Sequence, residues 1–239
     1  MKGKAIVGAD LVSARISAHN NTRGGTLMTT LYLVRHAQSE GNNLGRMQGQ
    51  TDMPLSALGR AQLEPLAERC RDMQAAHVYT SPLRRAKETA LAVNRHLGLP
   101  MTDVDALMEI SVGAWENQLL SDIEAGWPEE RQVWNEQHHL FVSPGGGETM
   151  AEVYDRVVAA LLSIAARHPG EVVFVVSHGC AIRNMCAWAM GGPEHASSQD
   201  WVGNTSLSRI DIDEAGRPAL VFRSDIAHLG ALESPKDRA

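Results

Sequence analysis

The sequence lacks several features that would assign it to a large class of proteins. None of its apolar runs approaches the roughly 20 residues of a membrane-spanning helix, so no membrane association is expected. Its formal net charge of −6 offers no overall positive field for nucleic acid. Its three cysteines, an odd number without CxxC spacing, are typical of reduced thiols in a cytoplasmic protein. What remains is a globular protein of 239 residues with 44% hydrophobic content, enough for a core of normal size.

The two ends of the chain differ in composition from the middle. Residues 1–27 carry four basic residues and one acid, and their apolar stretch is short and interrupted by Asp10. This is a poor signal peptide. A transit peptide is the less favoured alternative to a disordered extension before a start at Met28. We therefore expect a disordered extension over residues 1–27, a single domain over residues 28–230 and a flexible tail over residues 231–239.

Strand and helix patterns alternate through the middle of the chain. The apolar runs at residues 31–34 and 172–176 are typical of strands that are buried on both faces. Ser56 and Ser81 are predicted to begin helices as N-caps. The alternation predicts an α/β fold, a three-layer α/β/α sandwich with a mostly parallel central sheet. The irregular, tryptophan-rich stretch over about residues 113–146 is expected to form a helical cap over the end of the sheet.

Both buried strands end in a histidine. Arg35 and His36 follow the first, and His178 follows the second. If the strands are neighbours, the two imidazoles meet at one edge of the sheet. A metal site is one interpretation, but there is no third ligand at metal spacing, no HExxH motif and no cysteine pair. A buried cation and imidazole lose their hydration, and an anion such as phosphate would compensate them.

Several motifs resemble those of one known family. The segments are LVRHAQSEGN (residues 33–42), GRMQG (45–49), SPLRRAKETA (81–90), LMEISVGAWE (107–116), GET (147–149) and VSHGCAIR (176–183). In this order they are similar to the motifs of the histidine phosphatase superfamily, the phosphoglycerate-mutase-like proteins. The resemblance extends from about residue 31 to residue 210. It implies the phosphoglycerate mutase-like fold and phosphoryl-transfer chemistry.

The resemblance also implies roles for individual residues. His36 would be the nucleophile that becomes a phosphohistidine. Arg35, Arg85 and His178 would surround the phosphoryl oxygens, because preorganised cations stabilise the charge that develops there. Glu109 would protonate the leaving oxygen and later activate water. No metal and no other cofactor would be required, since the arginines supply the positive charge.

Two further residues are candidates for substrate binding, and two positions depart from the family pattern. Asn42 and Gln48 are expected to donate hydrogen bonds to the substrate, with a role as turn residues as the alternative for each. Ala37 stands where the family usually has glycine, and its methyl group could narrow the pocket. Cys180 replaces a common second glycine, and it would make the enzyme sensitive to oxidation if it were exposed. Neither departure removes a reacting group.

The acidic motif favours a phosphatase over a mutase. It is short here, whereas the mutases have a longer and more basic insertion. The stretch that follows, residues 118–139, contains five acids and one basic residue, Arg131. That composition does not favour a strongly anionic ligand. We therefore predict a metal-independent phosphomonoester phosphatase for a small phosphorylated metabolite. A 2,3-bisphosphoglycerate-dependent phosphoglycerate mutase and a non-catalytic phospholigand-binding protein are the alternatives; the oligomeric state is not indicated.

Overall fold

The computed structural model describes residues 22–23 and 26–234. Its strands are β1 Thr22–Arg23, β2 Thr26–Arg35, β3 Arg46–Met47, β4 His77–Thr80, β5 Met101–Asp103, β6 Gln118–Leu119, β7 Val172–Ser177, β8 Leu207–Asp213 and β9 Pro218–Asp225. Its α-helices are α1 Glu40–Asn43, α2 Ala57–Cys70, α3 Arg84–Val93, α4 Leu120–Gly126, α5 Pro128–Glu136, α6 Met150–Arg167 and α7 Gly179–Met190. Short 3₁₀ helices cover Asp105–Leu107, Gly113–Trp115, His138–Leu140, Pro193–His195 and Gly230–Leu232.

The central sheet has the strand order β5-β4-β7-β2-β8-β9. The first four strands of this order are parallel, and β8 and β9 pair antiparallel at the other edge. Strand β2 alternates its side chains between the two faces, as the period of a strand requires. Leu31 and Leu33 pack with the core residues of α6 and α7, whereas Tyr32 and Val34 pack with those of α2 and α3. The predicted α/β/α sandwich with a mostly parallel sheet is confirmed.

The excursion over residues 113–146 contains α4 and α5 and lies against the α6 side of the core. Trp115, Trp134 and Phe141 form an aromatic cluster there, with ring centroids 4.8–6.0 Å apart. Trp115 is fully buried. Burial of these large side chains is the main force that can hold a cap of two short helices in place.

The ends of the described chain are more ordered than the sequence predicted. Strand β2 begins at Thr26, inside the expected extension 1–27, and β1 pairs with its first residues. Residues 1–21 and 24–25 lie outside the described residues, as do 235–239 of the predicted tail. At the start of that tail, the Leu232 carbonyl accepts a 2.9 Å hydrogen bond from Gln62, and Ser234 is buried. Within the described residues, no helix is both long and apolar enough to cross a bilayer.

Candidate active site

Parallel pairing of β2 with β7 brings the two strand-end histidines together. Arg35 lies opposite Ser177 in the register, so His36 and His178 leave the sheet side by side. Their ring centroids are 5.1 Å apart. The backbone N–H of His36 donates to the Ser177 carbonyl at 2.9 Å, which continues the ladder one residue beyond β2. The juxtaposition expected from the sequence is therefore present.

The His36 ring is fixed by a local hydrogen bond. Its Nδ1 lies 2.7 Å from the Ala37 carbonyl oxygen. A carbonyl can only accept, so Nδ1 carries the hydrogen and Nε2 keeps its lone pair. Burial, together with the charges of Arg85 and Arg35, holds the pKa of His36 well below its ordinary value. The imidazole is therefore neutral at physiological pH, the form that a nucleophile requires.

Two buried arginines flank this histidine. Arg35 donates from Nη1 to the Val202 carbonyl, and its guanidinium lies 5.1 Å from the centroid of the Trp201 ring. Arg85, in the first turn of α3, is 1% exposed. It donates from Nη1 to the Thr51 carbonyl at 2.8 Å and from Nη2 to the Gly49 carbonyl at 2.7 Å. Backbone carbonyls orient both guanidiniums, and both arginines line the cavity where an anion would bind.

A serine that the sequence assigned elsewhere contacts the second histidine. Helix α3 begins at Arg84 with Leu83 as its N-cap, so the prediction that Ser81 caps it was wrong. The Ser81 hydroxyl accepts from the Leu83 N–H at 3.3 Å and lies 2.8 Å from Nε2 of His178. The buried Ser81 hydroxyl has no other acceptor in the described chain, so we assign its hydrogen to the bond with Nε2, which places the imidazole hydrogen of His178 on Nδ1. Nδ1 is buried and has no partner in the described chain.

His178 is fully buried and does not itself line the open cavity described below. Burial, and then the charges of Arg85, His36 and Arg35, hold its pKa well below the ordinary value. The ring is therefore neutral, and its unpartnered Nδ1–H is a donor beside His36. An unsatisfied buried donor costs free energy unless a ligand accepts from it.

Glu109 lies at the N-terminus of α7. Its Oε2 accepts from the Cys180 N–H at 3.2 Å, and its Oε1 accepts from the Ala181 and Ile110 N–H groups at 3.2 and 3.1 Å. Arg156 fixes the backbone of this segment through hydrogen bonds to its carbonyls. It donates to the carbonyls of Ala106, Met108 and Glu109 and pairs with Glu148 at 2.7 Å. Arg156 is therefore a structural residue that holds the segment carrying Glu109.

Glu116 is a positioning residue that the sequence analysis missed. Its carboxylate accepts from the backbone N–H groups of Gln50, Thr51 and Val112 at 3.0–3.1 Å and from the Thr51 hydroxyl at 2.8 Å. These bonds hold the loop whose carbonyls orient Arg85. Gly49 has φ +50°, and a Cβ there would lie 2.0 Å from a Glu116 oxygen. Glu116 is the last residue of the motif LMEISVGAWE, and that position is the sequence signal that could have indicated its role.

Asn42 and Gln48 both line the cavity in front of His36. Gln48 Oε1 accepts from the Ser39 hydroxyl at 2.7 Å, and Asn42 Oδ1 accepts from the backbone N–H of Ser39 at 3.2 Å. In this arrangement the carbonyl end of each amide is used inside the protein. The NH₂ ends have no hydrogen-bond acceptor among the described residues, and the binding roles of Asn42 and Gln48 stay predictions.

The site opens into a cavity of about 520 Å³. Of the predicted residues, it is lined by Arg35, His36, Asn42, Gln48, Arg85 and Glu109. The cavity wall also includes Arg131, Trp134 and Arg183. The five acids of residues 118–139 do not line it, whereas Arg131, the one basic residue there, does. Composition was therefore a misleading guide to charge in this part of the site, because helix α5 directs its arginine inward.

The structure also locates the two departures from the family pattern. Ala37 is fully buried, donates its N–H to Thr89 and does not line the cavity. The expected narrowing of the pocket by its methyl group is therefore not seen. Cys180 lines the cavity but is 2% exposed, and burial raises the pKa of its thiol to about 12. His138 is buried next to it.

Neither histidine of the pair belongs to a metal-ligand cluster in the described part of the chain. No group of three or more His, Cys, Asp or Glu side chains lies close enough there to hold a metal ion. The groups around His36 are arginine guanidiniums, which bind oxyanions rather than cations.

Comparison with known proteins agrees with this geometry. The sequence profile of the histidine phosphatase superfamily (branch 1) matches residues 31–225. The chain is 35% identical to phosphoserine phosphatase 1 of Hydrogenobacter thermophilus, over 85% of this chain and 95% of the relative. It is 34% identical to a protein named probable phosphoglycerate mutase GpmB from Salmonella paratyphi C, over 85% and 96%.

A solved structure shares the fold. Bacillus stearothermophilus YhfR superposes with a TM-score of 0.79 at 33% identity, over 84% of this chain and 99% of that chain. The motifs, the architecture and the paired histidines lead to one assignment. The chain belongs to the histidine phosphatase superfamily, branch 1, whose members transfer phosphoryl groups through a phosphohistidine.

Proposed function

We propose that this protein hydrolyses small phosphomonoesters in two steps, with His36 as the covalent carrier and without a metal ion. The observation that carries the proposal is the state of His36. Its Nδ1 is fixed on the Ala37 carbonyl, its Nε2 is available, and two buried arginines stand beside it. That combination suits in-line attack on phosphorus and stabilises the charge on the equatorial oxygens.

In the first step, Nε2 of His36 attacks phosphorus and the bond to the ester oxygen breaks. Arg35, Arg85 and the Nδ1–H of His178 bind the three equatorial oxygens. Glu109, in its protonated form, gives its proton to the departing oxygen, so the product leaves as an alcohol. General acid catalysis of this kind contributes roughly 10²–10⁴-fold.

In the second step, water hydrolyses the phosphohistidine. Glu109, now ionised, takes a proton from the water as its oxygen attacks phosphorus. The P–N bond breaks, its electron pair returns to Nε2 of His36, and inorganic phosphate leaves.

Hydrolysis of an aryl phosphate in EDTA tests the mechanism. The wild type should be active, and His36→Ala should lose activity by more than 10³-fold. The exposed His96→Ala is the matched control and should behave as the wild type. Denatured enzyme quenched during turnover should carry acid-labile, alkali-stable phosphate. Equal activity of His36→Ala and wild type would exclude the nucleophile, and loss of wild-type activity in EDTA would point to a metal.

Glu109→Gln separates the two roles of the acid. An aryl phosphate has a good leaving group that needs little protonation, whereas an alkyl phosphate needs the proton. We therefore expect a retained burst of phenol release with the aryl ester and a much larger loss of phosphohistidine formation with an alkyl ester. An equal loss for both esters would remove Glu109 as the proton donor.

The mutase remains the alternative, because one relative of this chain is named as a probable phosphoglycerate mutase. A mutase must hold its product and phosphorylate it again before water enters. Formation of 2-phosphoglycerate from 3-phosphoglycerate and bisphosphoglycerate, faster than phosphate release, would decide in its favour. Binding of phosphorylated ligands without any turnover would instead favour a non-catalytic role.

A panel of phosphorylated metabolites would identify the substrate. Phosphoserine belongs in the panel because a 35% identical relative is named for it. The three free cysteines, all buried, are in keeping with a cytoplasmic location.

A further inference from the structure

The cavity carries more positive charge than one phosphoryl group requires. Five arginines and two acids line it. Arg35 and Arg85 are assigned to the phosphoryl group. Of the other three, Arg131 and Arg183 come from different helices, α5 and α7, and flank the aromatic wall formed by Trp134. This pair is the strongest unexplained feature of the cavity.

Arg183 is held in place by neutral groups. Its Nη1 donates to the carbonyls of Ser198 at 3.1 Å and Ser197 at 3.5 Å. Its guanidinium lies 5.8 Å from the centroid of the Trp134 ring. Its Nε is buried and has no acceptor in the described chain. The charge is therefore oriented and partly dehydrated but not neutralised, which is costly unless an anion completes the site.

Arg131 is similar. Its side chain is 18% exposed, and its Nε is buried without an acceptor in the part of the chain described. Its one acidic contact is Glu124 at 3.5 Å, a side chain that is 59% exposed, so this ion pair is weak. Burial and, after it, the charges of Arg183 and Arg131 lower the pKa of His138, whose ring packs edge-on against Trp134 with centroids 4.6 Å apart.

The acids of the cavity wall do not neutralise this pair. Asp200 is bound by Arg223 at 2.8 Å. Glu109 accepts from three backbone N–H groups at the start of α7. A ligand that enters the cavity therefore meets two separate centres of positive charge, one at His36 and one beside Trp134.

We propose that Arg183 and Arg131 form a second subsite that binds an anionic group of the substrate, a carboxylate or a second phosphate. The substrate class is then a phosphomonoester with an additional negative charge, rather than a neutral sugar or alcohol phosphate. This inference rests on the proposed function. Each guanidinium can form charge-assisted hydrogen bonds with two oxygens of such a group.

Matched substrates test the subsite. Phosphoserine and phosphoethanolamine differ only in one carboxylate, and fructose 1,6-bisphosphate and fructose 6-phosphate differ only in one phosphate. We expect kcat/KM to favour the doubly charged member of at least one pair by about 10- to 100-fold, the range for one or two bonds to a charged group. The carboxylate pair and the bisphosphate pair identify which anion the subsite takes.

Two variants locate the effect. Arg183→Gln and Arg131→Gln keep much of the side-chain length and remove the charge. Each should reduce the preference for the doubly charged substrate by about tenfold, mainly through KM. Arg84→Gln is the control, because Arg84 is 62% exposed, pairs with Glu88 and does not line the cavity. It should leave both kcat/KM values unchanged.

Every result has a consequence for the subsite. Equal kcat/KM for both members of both pairs in the wild type overturns it, and this comparison needs no variant. A preference that neither glutamine variant reduces also overturns it. If Arg183→Gln does not fold, as judged by circular dichroism, the wild-type and Arg131→Gln ratios decide. The proposed function is tested separately. If aryl phosphate hydrolysis depends on His36 but neither substrate pair shows a preference, the proposed function stands and the subsite is overturned.

Discussion

The hydroxyl of Ser81 sets the chemical form of His178, and its removal gives a sharp test of the site. In Ser81→Ala, Nε2 of His178 loses its only partner in the described chain, 2.8 Å away, so the ring is no longer held with its hydrogen on Nδ1. Outright loss of one donor to the transition-state oxygens costs about 10²–10³-fold in kcat. Because the ring itself remains in place, we expect a smaller loss, roughly 10- to 100-fold.

The assay combines kinetics with a direct measurement of the ring. Steady-state kcat with an aryl phosphate should fall in Ser81→Ala and recover in part in Ser81→Thr, which keeps the hydroxyl. Long-range ¹H–¹⁵N spectra of ¹⁵N-histidine-labelled protein report the tautomer, with His178→Gln identifying the signal. The wild type should show hydrogen on Nδ1 of His178, and Ser81→Ala should show a mixture.

A matched control separates this role from simple packing. Ser208 on strand β8 is also fully buried, does not line the cavity, and its hydroxyl accepts the Ser224 N–H at 3.0 Å. Both Ser→Ala changes should cost about 1–3 kcal/mol of unfolding free energy, but Ser208→Ala should retain kcat. A kcat of Ser81→Ala within twofold of wild type, or hydrogen on Nε2 in the wild-type spectrum, would refute the reasoning.

Three further predictions concern His138, Glu116 and Cys180. Burial lowers the pKa of His138 to about 3, so the folded protein excludes a proton that the unfolded chain binds below about pH 6.5. Between pH 7 and pH 5 this should lower the free energy of unfolding by about 2 kcal/mol. Urea denaturation of His138→Gln should therefore show a weaker pH dependence than that of the wild type. Glu116→Gln should raise the inhibition constant of inorganic phosphate about tenfold or more, because the loop that orients Arg85 loses acceptors; an unchanged constant would contradict this. Cys180, with its thiol pKa raised to about 12, should resist iodoacetamide at pH 8 until the protein is denatured, as mass spectrometry would show.

The centre of the site could be predicted because it depends on strand ends. Two uninterrupted apolar runs that end in His36 and His178 predict parallel neighbours, and parallel neighbours bring their final residues together. Arg85 could be assigned because the family motif fixes its place in the chain. In both cases local sequence determines the backbone, and the backbone determines where the side chain lies.

The rest depended on contacts between distant segments. Ser81 has the local sequence of an N-cap, and only the approach of His178, far along the chain, gives its hydroxyl another partner. His138 lies in the polar stretch NEQHH (residues 135–139), yet the fold buries it beside Cys180. Arg131 stands among five acids in the sequence, but the fold places Arg131 in the cavity wall and leaves those acids outside it. Such tertiary contacts are not encoded in composition or in short spacing.

The pairing of β2 with β7 also bears on how the enzyme folds. His36 and His178 are 142 positions apart, the difference between their numbers, and six helices lie between the strands that carry them. Parallel pairing over so long a separation must overcome a large loop-closure entropy before any contact repays it. We expect the nucleophile and its partner to meet late in folding, so the return of activity during refolding reports completion of the sheet rather than collapse of the chain.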